Sequence, residues 1–190
     1  GALFVDIGAK DGYYSLLVGR HYSNCRVLSI EPNSNNYETL QKKIILNDLN
    51  NVKVYKLVVS DQNRDTMVHI NEAPDDRSLL SSPSPLDKQS EVDVKQLTEL
   101  LMQIPNEEVV IRIDSQGNEI SILEGLRRFL TAKKNARLLL KFRPRYLINH
   151  GYAPEELLNK LSQTGFALHA IDESNRRIYS LSEDDFGEWT

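Results

Sequence analysis

The first residues whose types and spacing suggest chemistry are three acids. Asp6 follows the apolar run Leu3-Phe4-Val5, Glu31 follows Val27-Leu28-Ser29-Ile30, and Asp61 follows a run from Val52 to Val59. In an open parallel sheet, ligands bind beyond the carboxyl ends of the strands, where these acids would stand. Asp6 opens the turn Asp6-Ile7-Gly8-Ala9-Lys10-Asp11-Gly12-Tyr13, in which Gly8 and Gly12 let the backbone turn sharply into a helix and approach a ligand. The spacing is not G-x-G-x-x-G, which makes it a poor dinucleotide fingerprint. Asp6 and Asp11 also put negative charge where a pyrophosphate would lie. Like charges a few Å apart cost about 1 kcal/mol in water and several times that in a partly buried cleft. The turn therefore suits a ligand with no phosphate and a net positive head.

S-adenosylmethionine is such a ligand, with an ammonium and a sulfonium. Glu31, about 20 residues after the glycine turn, offers its ribose an acceptor pair. Ser60-Asp61 offers hydrogen bonds to the adenine. The competing reading makes Glu31 and Asp61 helix-capping or turn residues.

The elements that must position these residues alternate along the chain. Further apolar runs lie at Val109 to Ile113, ending at Asp114, and at Leu138-Leu139-Leu140. Phe166 to Ile171 and Arg177 to Leu181 read as a closing hairpin around Glu173-Ser174-Asn175. Helical spacing recurs at Tyr37, Leu40 and Ile44, at Leu97, Leu100, Leu101 and Ile104, and at Ile120, Leu123, Leu126 and Leu130. Pro154, the acids Glu155 and Glu156, the face Leu157, Leu158 and Leu161, and Gly165 mark a further helix with both its ends. Such alternation predicts an α/β fold with a mostly parallel sheet covered on both faces. Asn71 to Ser90 breaks the pattern, with three prolines and five serines. It is expected to be a long loop, either a lid or binding segment or a surface insertion.

The chain has 190 residues, which predicts one domain over 1–190 with a core large enough to need neither disulfide nor metal. Lys and Arg total 23 against 27 Asp and Glu, a net charge of −4, and the pI is about 5.6. That balance disfavours a nucleic-acid partner. No apolar run approaches the ~20 residues of a membrane span, and the single Cys25 fits a reducing, cytoplasmic setting. The chain opens at Gly1 without Met. An upstream segment, a targeting signal included, is left open.

With those residues in view, the sequence resembles the FkbM-type methyltransferases along essentially its whole length. Phe4-Val5-Asp6-Ile7-Gly8-Ala9 with Gly12-Tyr13-Tyr14-Ser15 is similar to their first motif, Ser29-Ile30-Glu31-Pro32-Asn33 to the second and Val58-Val59-Ser60-Asp61 to the third. Arg112-Ile113-Asp114-Ser115-Gln116-Gly117-Asn118-Glu119-Ile120, followed by Leu123-Glu124-Gly125, resembles the fourth. The resemblance implies a Rossmann-like class I methyltransferase fold of seven strands, order 3-2-1-4-5-7-6, with a terminal antiparallel hairpin. It implies S-adenosylmethionine as cofactor, held by Asp6, Gly8, Ala9, Lys10, Gly12, Tyr13, Glu31, Pro32, Asn33, Ser60, Asp61, Asp114 and Gln116. It also implies O-methylation of a hydroxyl on a sugar or secondary metabolite.

Three positions depart from the family pattern: Lys10 where Asn is common, Gln116 in place of an acid, and Lys141 in place of a Glu. A hydroxyl is a poor nucleophile without a base. Asp114, ending the fourth strand, is the first candidate; the alternative makes it a carboxylate held by backbone amides. Lys141 is a second, as a base or as the holder of an acidic substrate group, unless it pairs structurally with Asp114. His150 follows the fifth strand and is a third, while His21, His69 and His169 read as structural or exposed. Asp114 and Asn118 resemble a magnesium-binding pair only weakly, so no metal is expected. The expected partner is a small-molecule or glycan acceptor. Lys141-Arg143-Arg145, with Arg127-Arg128 and Lys133-Lys134, would suit an anionic one. The rival readings are a cofactor-binding module without turnover, an RNA ribose 2'-O-methyltransferase and a nicotinamide oxidoreductase.

Overall fold

A computed structural model describes residues 1–60, 67–71, 89–95, 97–103, 108–133 and 135–188. The chain divides into two compact units, Gly1–Lys141 and Phe142–Thr190.

In the first unit the strands β1 (Ala2–Ile7), β2 (Cys25–Ile30) and β3 (Val52–Tyr55) alternate with helices α1 (Tyr13–His21) and α2 (Ser34–Leu46). Then follow β4 (Leu57–Val59), β5 (Met67–Asn71), β6 (Gln89–Lys95), α3 (Leu97–Met102), β7 (Glu108–Ile113), α4 (Glu119–Ala132) and β8 (Ala136–Leu140). The main sheet is parallel, with order β3-β2-β1-β7-β8. The centre of that sheet is buried on both faces, so its strands read as unbroken apolar runs: Leu3, Phe4, Val5 and Ile7 in β1, Val109, Ile111 and Ile113 in β7. On one side Phe4, Cys25, Val27, Leu49 and Val52 form a core cluster with Tyr14, Leu16 and Val18 of α1 and Ile44 of α2. Helix α4 buries Ile120, Leu123, Leu126 and Leu130, the stripe its spacing predicts, and Ile122 and Phe129 besides, and α3 packs against it.

The second unit holds α5 (Pro144–Asn149), α6 (Pro154–Gln163), β9 (Leu168–Asp172), β10 (Arg177–Leu181) and a 3₁₀ turn at Glu183–Glu188. Pro154 stands in the first turn of α6, Glu156 accepts from the Ala153 amide, and Leu157, Leu158 and Leu161 are buried.

The strand arrangement differs from the expected seven-stranded sheet in three respects. The main sheet has five strands, matching the 3-2-1-4-5 stretch of the expected order, and β9 and β10 pair as a separate two-stranded antiparallel ribbon. The alternating sequences of β9 and β10 leave most of their side chains partly or fully exposed, unlike the continuous apolar strands of a buried sheet. The run from Val52 to Val59 is two strands: β3 pairs with β2, whereas β4 pairs with β6 in a three-stranded sheet of order β4-β6-β5. The expected loop at 71–90 is shorter at both ends, because Asn71 closes β5 and Gln89 and Ser90 open β6. Its remaining residues lie outside the described ones. Among the described residues no helix is long and apolar enough to cross a membrane.

Candidate active site

The carboxyl ends of β1, β2, β4 and β7 converge on one cavity of about 720 Å³, open mouth included. Its walls are Ile7, Gly8, Lys10, Ile30, Glu31, Pro32, Asn33, Asn36, Leu57, Val58, Val59, Asp114, Ser115, Gln116, Asn118 and Ile122.

The β1–α1 turn is fixed from both sides. The amides of Gly8 and Ala9 both donate to the Ile30 carbonyl at 3.0 Å, tying the turn to β2. Gly8 has φ 77°, and a Cβ there would stand 2.1 Å from the Asp114 carbonyl oxygen. Only glycine lets the ends of β1 and β7 approach so closely. Gly12 (φ 93°) meets the same constraint at the start of α1, where a Cβ would strike Leu40 of α2 at 2.2 Å.

Beneath the cavity runs a row of buried polar groups set by strand register. Asp6 lies directly across from Ser29 of β2 and from Arg112 of β7. Its carboxylate takes Arg112 Nη1 at 2.8 Å and the Ser15 hydroxyl at 2.6 Å, and Ser29 donates to Ser15 at 2.7 Å. Arg112 donates its other terminal nitrogen to Asp114 Oδ2 at 2.8 Å and lies over the Tyr14 ring, 4.3 Å from the centroid. Lys141 Nζ stands 4.0 Å from the same Oδ2, on a half-exposed side chain. Asp114 Oδ1 makes no hydrogen bond to the described residues. Asp6 is fully buried and does not line the cavity. Asp11 is exposed and paired with Lys43 at 2.7 Å. The expected repulsion of phosphate by these two carboxylates is therefore corrected: each already has a cation partner.

Glu31, at the end of β2, is the acid that lines the cavity with only 2% of its surface exposed. Its Oε2 accepts from the Lys10 amide at 2.7 Å and its Oε1 from the Asn33 amide at 2.9 Å, with Asn36 Nδ2 at a long 3.5 Å. Burial raises its pKa to about 6, against the lowering effect of these hydrogen bonds and of the Lys10 charge. A carboxylate has about four acceptor positions. Two backbone bonds leave two, enough for a vicinal diol once the long Asn36 contact gives way. The competing reading of Glu31 as a capping residue does not describe its place: Asn33 caps α2, through Oδ1 and the Asn36 amide.

The β7–α4 turn closes the other wall. Gln116 (φ 55°) and Gly117 (φ 113°) both take left-handed backbone, and the Glu119 carboxylate braces the turn by accepting from the amides of Ser115 (3.1 Å) and Gly117 (2.9 Å). Sequence reasoning assigned no role to Glu119 or Arg112. An acid in the first turn of α4, just behind a glycine, is the signal that marks Glu119. Asn118 Nδ2 is committed to the Val59 carbonyl at 3.1 Å and Asp114 to Arg112. Ser115 Oγ is buried and has no partner among the described residues, as expected where a ligand group completes the bond.

Among the other residues singled out from sequence, Ala9, Gly12, Tyr13 and Ser60 lie outside the cavity lining. Tyr13 is exposed, and Ser60 Oγ meets Ser121 Oγ at 3.2 Å. Asp61 lies outside the described residues, as does Lys134. His150 belongs to the second unit, where its Nδ1 meets the Tyr146 carbonyl at 2.8 Å. Arg143 and Arg145 belong to that unit too, with Arg143 over the Tyr146 ring, while Arg127 is exposed near Glu124. His21 and His169 are exposed. No group of three or more His, Cys, Asp or Glu suited to a metal occurs among the described residues.

A five-stranded parallel sheet of order 3-2-1-7-8, with a glycine turn after its central strand and an acid ending the next, defines a class I methyltransferase fold. The chain belongs to the FkbM methyltransferase domain family, which matches it over residues 6–172. A relative named Methyltransferase 1, from Beauveria bassiana (strain ARSEF 2860), is 21% identical over 145 residues, 66% of this chain. The match spans 58% of that relative's length, less than two thirds of it. Among solved structures, precorrin-6y C5,15-methyltransferase from Geobacter metallireducens GS-15 is 13% identical, with 95% of this chain and 74% of that one covered and a TM-score of 0.48. A human methyltransferase 10 domain containing protein is 14% identical, with 93% and 69% covered and the same TM-score of 0.48. At those scores the fold assignment rests on the sheet order and the family match.

Proposed function

We propose that this chain is an S-adenosylmethionine-dependent methyltransferase domain that methylates a hydroxyl of a sugar or other small metabolite. The observation that carries the reading is Glu31, a buried carboxylate at the cavity end of β2 with two acceptor positions left for the ribose hydroxyls. The residues present fit the cofactor: Gly8 clears the backbone, Ile7, Ile30, Leu57, Val59 and Ile122 give apolar walls, and Ser115 Oγ awaits a partner. When bound, the cofactor supplies a methyl group already activated by its sulfonium. The protein's contribution is then orientation and exclusion of water. Glu31 fixes the ribose. Arg112 holds Asp114 by Oδ2, so Oδ1 is left to accept the proton of the acceptor hydroxyl as the new bond forms. Lys141, half-exposed beside Asp114, suits an acidic group on the acceptor.

The test is transfer of tritiated methyl to a panel of neutral and anionic sugars and small hydroxylic metabolites. The reading expects label that survives mild alkali, as a methyl ether does. Label released as methanol would mark an ester and overturn the hydroxyl assignment. A second reading, a binding module without turnover, is favoured by the two cations on Asp114 Oδ2, and it expects cofactor binding with no transfer to any acceptor.

A further inference from the structure

Three buried charges meet at the ends of β1 and β7: Asp6, Arg112 and Asp114. Strand register brings them together. Asp6 and Arg112 lie directly across from one another, and Asp114, two residues beyond Arg112, falls on the same face of the sheet. The guanidinium is fixed both in its plane and on its face. Nη1 donates to Asp6 Oδ1 and Nη2 to Asp114 Oδ2, both at 2.8 Å, while the Tyr14 ring covers it with 4.3 Å to the centroid. Asp6 is itself held: Ser15 of α1 donates to its Oδ2 at 2.6 Å, and Ser29 of β2 donates to Ser15 at 2.7 Å. A buried ion pair is often no better for stability than well-packed apolar side chains of similar volume. Stability therefore does not account for three charges among Val5, Ile7, Ile111 and Ile113. The three differ in what they reach: Asp114 lines the cavity, whereas Asp6 and Arg112 do not.

We propose that Asp6 is a positioning residue for Asp114, acting through Arg112. Tethered by Ser15 and Ser29, Asp6 takes one arm of the planar guanidinium fork, and the rigidity of the fork aims the other arm at Asp114 Oδ2. Asp114 is thereby held in one orientation, with Oδ2 engaged and Oδ1 left for the acceptor hydroxyl. The inference rests on the methyltransferase reading, which makes Asp114 the base. It replaces the role that the family resemblance implies for Asp6: the residue acts on the proton acceptor and does not hold the cofactor.

The test is a double-mutant cycle of Asp6→Asn and Asp114→Asn. It reads kcat with tritiated S-adenosylmethionine and the panel compound that takes most label, and the Kd of S-adenosylhomocysteine by calorimetry. Asp6→Asn keeps the size of the side chain and leaves no unpaired anion, since Arg112 still faces Asp114, so it is expected to fold. Its kcat should fall about tenfold or more, as misplacing a catalytic group does, while its affinity for S-adenosylhomocysteine stays within about twofold. In the Asp114→Asn background the same substitution should lower kcat no further, because no base is left to position. Ser15→Ala keeps all three charges and removes only the bond to Asp6 Oδ2. It should lower kcat in the same direction by less, and it carries the same cycle if Asp6→Asn does not fold. Unchanged kcat in Asp6→Asn overturns the proposal, and so does an equal loss with and without the Asp114 carboxylate, the mark of a merely structural role. A fall in S-adenosylhomocysteine affinity that matches the fall in kcat overturns it too, by returning Asp6 to the cofactor. Failure of the wild-type chain to bind S-adenosylhomocysteine or to transfer label overturns the methyltransferase reading before any variant is compared, and this inference with it.

Discussion

Replacing Arg112 by Met removes the only cation within ion-pair distance of Asp6 among the described residues, and Asp6 has none of its surface in water. Methionine keeps an unbranched apolar stem but ends short of the guanidinium, so the change removes the charge together with its hydrogen bonds to Asp6 and Asp114. Removing one partner of a buried ion pair typically costs about 3–5 kcal/mol, because the remaining charge is left uncompensated. The Ser15 hydroxyl still donates to Asp6, and Lys141 stays near Asp114, so the lower half of that range is expected. A loss of about 3–4 kcal/mol is a large share of the roughly 5–15 kcal/mol that holds a domain together. In urea unfolding, with an m-value of about 2 kcal/mol/M, the midpoint should drop by roughly 1.5–2 M. The double variant Asp6→Asn/Arg112→Met has no orphaned charge on β1 and should regain most of the loss, to within about 1–2 kcal/mol of the wild type. A single variant within about 1 kcal/mol of wild type would refute the reasoning. So would a double variant no more stable than the single one.

Three other outcomes follow from neighbouring groups. Glu31 has a pKa raised to about 6 from 4.5, so the unfolded chain ionises first and the folded state disfavours the charge. Its contribution is full below about pH 4.5 and is lost as pH rises through about 6, worth on the order of 2 kcal/mol. Urea midpoints across that window should fall for the wild type more than for Glu31→Gln. Gly8→Ala forces a Cβ to within 2.1 Å of the Asp114 carbonyl at a left-handed φ. It should cost about 3 kcal/mol from strain and overpacking, seen as a melting temperature lower by roughly 6–12 °C. Glu119→Ala strips the acceptor from the Ser115 and Gly117 amides. A loss of about 1–3 kcal/mol is expected, and exchange of those two amide protons, followed by NMR, should quicken while the β1 amides stay protected.

The central strands are legible because a parallel sheet buried on both faces leaves no alternation to hide them. Leu3 to Val5, Val27 to Ile30 and Val109 to Ile113 lie where the apolar runs place them. Glu31 is legible too, since an acid that ends such a strand must stand at the sheet's carboxyl edge. Asp6 shows where that logic stops. It also ends an apolar run, but its surroundings are set by Ser29 and Arg112 across the sheet, the latter 106 residues away, and register cannot be read from one strand. The break between β3 and β4 has the same origin: Leu57 to Val59 continue the apolar run but take β6, not β2, as their partner. Gln116 stands out in the sequence as a lost acid, while the acid that braces the turn lies three residues on, at Glu119. The hairpin of β9 and β10 is legible as a hairpin from its turn residues. Its expected membership of the larger sheet is not met, because its alternating side chains do not make a strand that is buried on both faces.

The most direct test of the account is a calorimetric titration of S-adenosylhomocysteine into the wild-type chain and Glu31→Gln, with NAD as the control ligand. Glutamine keeps the size of the side chain and one acceptor but removes the charge and the second acceptor. Hydrogen bonds to a charged group contribute about 1.5–3 kcal/mol each, so the variant should bind at least about tenfold more weakly. The account predicts that loss for S-adenosylhomocysteine and no binding of NAD to either protein. Equal affinity of the two proteins for S-adenosylhomocysteine, or binding of NAD to the wild type, would contradict it.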